Sequence, residues 1–176
     1  PVISLNLSGL ESNPGFRLTV GMLRKVVFAI IYGDLILNVS NQVRPYELTP
    51  GDTDACVREC MDFLLNDMHQ GKGMTFKSMN ASFDRIIAAF KAIPVSPEKK
   101  VRVGIVGEIY VKYAPLGNNN LADFLLSEGA EPVIPGVMDF IIFKVNNREV
   151  DVDIYGGKWV KERFCHWLQK YLMKYQ

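Results

Sequence analysis

The 176 residues lie within the usual size of one domain, enough to bury most of their apolar surface around a single core, and 48% hydrophobic with 22% charged residues excludes the disordered and fibrous classes. Twenty basic groups against nineteen acidic ones leave a net charge of +1, so no global field draws nucleic acid or an anionic membrane surface. The apolar run from Val26 to Gly33 is far too short to span a bilayer, and the first residues lack a basic start and a cleavage site, so neither a membrane segment nor a secretory signal is expected. Three cysteines do not make a disulfide framework, and a cytoplasmic location fits them.

In chain order, Val2 to Leu7 reads as a strand, followed by a turn-rich stretch through Asn13-Pro14-Gly15. Leu18 to about Val43 is helical in character and apolar nearly all round between Met22 and Leu37, as a helix buried on several sides would be. Pro45 ends it, because proline disfavours helical geometry in the residue before it. Residues 52–69 form a second helix, capped by Asp52 or Thr53, with Val57, Met61, Leu64, Leu65 and Met68 on one stripe. A third runs from about Ser78 to Ile93, with Met79, Phe83, Ile86, Ile87, Phe90 and Ile93 facing a core.

Val101 to Val106 has the short, β-rich, nearly continuous apolar pattern of a parallel strand buried on both faces. A loop, Gly107–Asn120, follows. Its last asparagines cap a helix through about Ser127 with Leu121, Phe124 and Leu125 inward, Gly129 supplies the left-handed residue beyond, and Glu131 to Pro135 is the next strand. Strand, helix and strand within this span imply a right-handed βαβ unit and a parallel sheet. The fold class expected is therefore α/β: a three-layer, Rossmann- or flavodoxin-like module with a small, mainly parallel sheet flanked by helices. Residues 138–155 are ambiguous, helical at first and alternating as a strand after Glu149, and 157–175 reads as an amphipathic helix. One domain over 1–176 is expected, and a start within a strand and an end within a helix suggest a piece of a longer multidomain chain.

The familiar catalytic signatures are missing. Gly71-Lys72-Gly73-Met74-Thr75 departs from a phosphate loop, since Asn66 stands where its first glycine belongs. Gly104 and Gly107 do not complete a dinucleotide fingerprint, and there is no nucleophile elbow and no pair of histidines at zinc-protease spacing. Cys56 and Cys60 lie one helical turn apart, but a closed metal site takes four ligands, and with Cys165 they read as small buried hydrophobes; no metal ligand is assigned. His69 and His166 read as surface residues.

The Gly107–Asn120 loop is different. It leaves the carboxyl end of a parallel strand, where open α/β sheets bind ligands, and it is longer than a turn requires. Glu108, Tyr110, Lys112, Asn118, Asn119 and Asn120 are its candidate substrate-binding residues, against the plainer reading that the asparagines cap and the tyrosines pack. Asn13, Arg44 and Tyr46 are secondary candidates, explicable as parts of a turn and a helix stop. No catalytic residue is assigned.

The segment Val103-Gly104-Ile105-Val106-Gly107-Glu108-Ile109-Tyr110, with Pro115-Leu116-Gly117-Asn118-Asn119-Asn120 and Glu128-Gly129-Ala130-Glu131, resembles the acyl-CoA dehydratase activase-related proteins. Asn13-Pro14-Gly15-Phe16, Tyr32-Gly33-Asp34 and Arg44-Pro45-Tyr46-Glu47 match the same family in order, so the resemblance spans nearly the whole chain. Those proteins are similar to the component of 2-hydroxyglutaryl-CoA dehydratase and benzoyl-CoA reductase that carries a [4Fe-4S] cluster. The resemblance implies anaerobic lyase or reductase chemistry in which an ATPase drives an electron through iron-sulfur clusters to an acyl-CoA thioester. The family's cysteine motifs and nucleotide motifs have no counterpart here, so no cluster ligand passes to Cys56, Cys60 or Cys165. The cluster and ATP are expected in a longer protein or a partner, and this piece is expected to be inactive alone. The partners implied are an ATPase activator domain or dehydratase subunit and an acyl-CoA; the alternative is a noncatalytic docking module between the ATPase and its electron acceptor.

Overall fold

The computed structural model describes residues 19–156 together with Arg163, His166, Trp167 and Lys170. The strand expected at Val2–Leu7, Asn13 and most of the terminal helix lie outside the described residues.

Thr19 accepts a hydrogen bond from the Met22 amide and so starts α1, Val20–Val43. This helix is the axis of the structure. Phe28, Tyr32, Ile36 and Ser40, four residues apart, are its buried face, whereas Met22, Leu23 and Val26 remain substantially exposed. The expectation of burial on several sides therefore fails at its amino-terminal end, which borders an apolar cavity instead of closely packed neighbours. A single 3-10 turn, Arg44–Tyr46, follows at Pro45.

α2, Asp52–His69, and α3, Phe76–Lys91, pack on α1 to form the core. Cys56, Cys60 and Leu64 meet Phe28, Tyr32 and Ile36, and Met79, Ile86 and Phe90 close the third side. Met61 and Leu65, expected in the stripe of α2, are 42% and 53% exposed, because the buried line runs through Thr53, Cys56, Cys60 and Leu64. Nor do Asp52 or Thr53 cap that helix. Gly51 occupies the cap position with φ +97°, and the Glu47 carboxylate accepts from the Gly51 and Thr53 amides at 2.8 and 2.7 Å. The Gly71–Thr75 turn joins α2 to α3, and the carbonyl of Gly73 accepts the buried Tyr32 hydroxyl at 2.7 Å. Thr75 and Ser78 form a reciprocal cap on α3. Residues after α1 and after α3 are tied together by a bridge from Glu47 to Val95.

Beside this helical core sits a two-stranded parallel sheet, β1, Arg102–Gly104, and β2, Glu131–Val133, in register Arg102 to Glu131 and Gly104 to Val133. β1 is not buried on both faces. Within it only Val103 is part-buried, and of the flanking residues Val101 and Val106 are 73% and 79% exposed while Ile105 is buried. Between the strands, two short helices occupy the expected loop, α4, Ile109–Tyr113, and α5, Pro115–Asn118, and the expected helix follows as α6, Leu121–Ser127. Phe124, expected inward on α6, is 56% exposed. α7, Val137–Tyr155, is one continuous helix and resolves the ambiguous stretch. The chain is thus mostly helical with a small parallel sheet, and no helix among the described residues is long and apolar enough to cross a membrane.

Candidate ligand site at the strand ends

Parallel pairing makes both strands point their carboxyl ends the same way, and the connections that leave those ends are built tightly. Gly107, at φ +146°, turns the chain out of β1 in a region that L side chains rarely adopt. Glu108 then caps α4, its Oε1 accepting the Val111 amide at 2.8 Å. Gly117 lies under the Tyr110 ring, where a Cβ would come within 2.6 Å of Tyr110 Cε1. Asn118 Nδ2 donates to the Val111 carbonyl at 2.9 Å and its Oδ1 accepts the Leu121 amide at 3.3 Å, so one amide joins the end of α4 to the start of α6. Asn119 and Asn120 both stand in the left-handed region with φ 54°. Asparagine tolerates this better than other non-glycine residues.

Six sequence-derived candidates are therefore brought together in one compact excursion, and four of them also have structural work. Glu108 and Asn118 spend their polar groups on the backbone; Asn119 and Asn120 make the turn. Tyr110 is half exposed and covers Gly117. Lys112 is the exception, being 9% exposed with its Nζ 5.2 Å from the Tyr113 ring centre and 5.5 Å from that of Phe140. Of the secondary candidates, Arg44 forms a 2.6 Å ion pair with Asp54 and is not at the strand ends. Tyr46 donates at 2.8 Å to Glu131 Oε2, while Arg102 binds Glu131 Oε1 at 2.9 Å, which satisfies a carboxylate buried at the start of β2.

The end of β2 completes the site with residues that periodicity did not single out. Tyr113 donates to the Pro135 carbonyl at 2.6 Å and so latches the β1 excursion to the β2 end. Asp34, reaching from α1, accepts the Val137 and Met138 amides at 2.8 and 2.7 Å and caps α7; Asp139 accepts the Gly136 amide at 3.1 Å. Burial raises the Asp34 carboxyl above its ordinary pKa despite the two amides, with the Asp139 charge adding to the rise. Burial likewise raises the Tyr113 hydroxyl, assisted by the charges of Asp34 and Asp139. A cavity of about 270 Å³ opens beside these carboxylates, lined also by Ile31, Leu35 and Phe83. The signal for Asp34 lay in Tyr32-Gly33-Asp34; Tyr113 lay in the Gly107–Asn120 loop as one of its two tyrosines, and nothing local marked Asp139.

Ile31 and Met138 also line a second, apolar cavity of about 620 Å³, walled by Leu23, Val27, Phe28 and Phe76, a size suited to a small organic ligand. Arg24 is its charged member and donates to the Met74 carbonyl. Among the described residues no three His, Cys, Asp or Glu side chains gather as metal ligands. Cys56 and Cys60 are buried, with the Cys56 thiol pushed up to about 12 by burial and by its neighbour Cys60. Scanned against models of known protein families, against curated proteins and against solved structures, the chain matches none.

Proposed function

We propose that this chain is an α/β module of an acyl-CoA dehydratase or activase-related protein, forming one wall of an acyl-CoA or [4Fe-4S] cluster site in ATP-driven electron-transfer chemistry. One observation carries the reading: among the described residues, segments that carry the resemblance, scattered through the chain, converge on the sheet. Tyr46 from Arg44–Glu47 bonds Glu131 from Glu128–Glu131, and Asp34 from Tyr32–Asp34 caps the helix that leaves β2. Glu108 and Asn118 shape the excursion from β1 beside them. In this reading β1 and β2 belong to a three-layer, Rossmann- or flavodoxin-like sheet, with ligand at its carboxyl edge. An ATPase activator domain or dehydratase subunit supplies the electron.

The test uses the full-length protein purified without oxygen. Glu108→Gln keeps an acceptor for the Val111 amide while removing the charge, and Asn119→Gly keeps the left-handed turn while removing the amide. Turnover or acyl-CoA affinity should fall in both with the melting temperature held; wild-type values in both overturn the site assignment.

A noncatalytic docking role is the second reading, and it is favoured by α7, where Phe143, Val150 and Ile154 are 55%, 45% and 66% exposed at spacings of seven and four that share a helix face. Its occupant would be the ATPase activator. Loss of that complex in Phe143→Glu with turnover on an artificial electron donor retained would favour docking over a wall of the site.

A further inference from the structure

The Phe140 ring is approached by two ammonium groups, Lys112 Nζ at 5.5 Å and Lys144 Nζ at 5.4 Å from its centre. They come from different elements: Lys112 from α4 at the end of β1, Lys144 from the second turn of α7 beyond β2. Neither lysine takes part in the ion pairs seen between described residues, Arg44 with Asp54 and Arg102 with Glu131. Of the acids at the end of β2, Asp34 accepts the Val137 and Met138 amides and Asp139 that of Gly136.

Two like charges gathered at one ring repel each other, and Lys112, 9% exposed, also bears the cost of a cation withdrawn from water without a counter-charge, whereas Lys144 is exposed. Snorkelling along apolar surface accounts for the stem of Lys112, yet not for a second ammonium brought to the same ring. Contact with the aromatic rings offsets part of the cost. A bound dianion between them would remove the repulsion. The place is suitable, since Lys112 lies on the excursion that leaves the carboxyl end of β1 and Lys144 on the helix that follows the carboxyl end of β2.

We propose that Lys112 and Lys144 form, with Phe140 as their platform, a binding site for the phosphate groups of a phosphorylated ligand. It rests on the reading of the strand ends as a ligand site and names the part of the ligand held there. An acyl-CoA would place its phosphates at the lysines, and a free phosphoanhydride would occupy them equally.

Isothermal titration of the 176-residue chain with inorganic pyrophosphate, coenzyme A and acetyl-pantetheine, the last without phosphate, tests this. Lys144→Gln changes an exposed side chain, and Lys112→Met keeps the buried stem, with circular dichroism and melting as controls of folding. Saturable pyrophosphate binding that weakens at least tenfold in Lys144→Gln and further in the double variant supports the site. No saturable binding, or unchanged affinity in folded variants, overturns it. Coenzyme A binding undiminished in the double variant removes the phosphate site and leaves the acyl-CoA reading standing. Pyrophosphate binding that needs both lysines, with coenzyme A no tighter and acetyl-pantetheine inert, keeps the phosphate site and removes that reading.

Discussion

Asp34 and Gly136 fit against each other so closely that a Cβ on the glycine would lie 2.6 Å from the Asp34 Oδ2 and 3.2 Å from its Cβ. The short aspartate cannot retreat without releasing the Val137 and Met138 amides. Gly136→Ala should therefore cost about 2 kcal/mol through overpacking and loss of the cap on α7. Urea unfolding measures it, and Gly33→Ala, within α1 where nothing lies within 4 Å of the added carbon, is the control and should raise stability by up to about 1 kcal/mol through helix propensity.

The acid limb of stability should carry the mark of Glu47. Burial pushes its carboxyl upward, but the hydrogen bonds from Gly51 and Thr53 outweigh this and hold it below its ordinary value of 4.5. A carboxyl lowered by folding stabilises above the unfolded-state value, and the contribution is lost as pH falls through the folded-state value. Glu47→Gln should cost about 1 kcal/mol at pH 7, as removal of a cap does, and the deficit should shrink below pH 4.5. A constant deficit from pH 7 to 3 would refute this.

Left-handed Asn119 and Asn120 make a separate prediction about backbone strain. Asn119→Val should destabilise by about 1–2 kcal/mol because a β-branched side chain resists positive φ, while Asn119→Gly should be nearly neutral. Equal losses in both, measured by thermal unfolding, would show that the amide rather than the backbone matters.

Both described cysteines should be inert. Burial comes first among the causes that raise the Cys56 thiol to about 12, and it raises Cys60 as well. With Cys165 replaced by Ser, iodoacetamide at pH 8 should label the folded chain at least a hundredfold more slowly than the chain in urea, because the thiolate is the reacting form. Rapid native labelling would contradict the burial.

Much of the fold was legible in the residues because local periodicity is a local property. The stops at Pro45 and Pro94, the βαβ spacing and the left-handed Gly129 all follow from it. The phase of α2 was misread where Thr53 and the cysteines, polar or ambiguous by type, fill the buried line ahead of Met61 and Leu65. Alternation after Glu149 resembled a strand, yet charged and apolar residues two apart are equally compatible with the helix that forms. The loop concealed α4 and α5 because helices of five and four residues have no readable period. Within the site, Lys112 was found through its place after a strand. Its meeting with Phe140, and those of Tyr46 with Glu131 and Asp34 with α7, join distant parts of the chain and have no local signature.

The 24 residues of α1 make a rod of about 36 Å that touches α2, α3, α7 and β2. An element shared by so many neighbours cannot open without separating them, so its middle amides should exchange with solvent deuterium only through global unfolding. Tyr32 and Ile36 would be the slowest reporters, and a ligand at the strand ends would slow them although it touches neither.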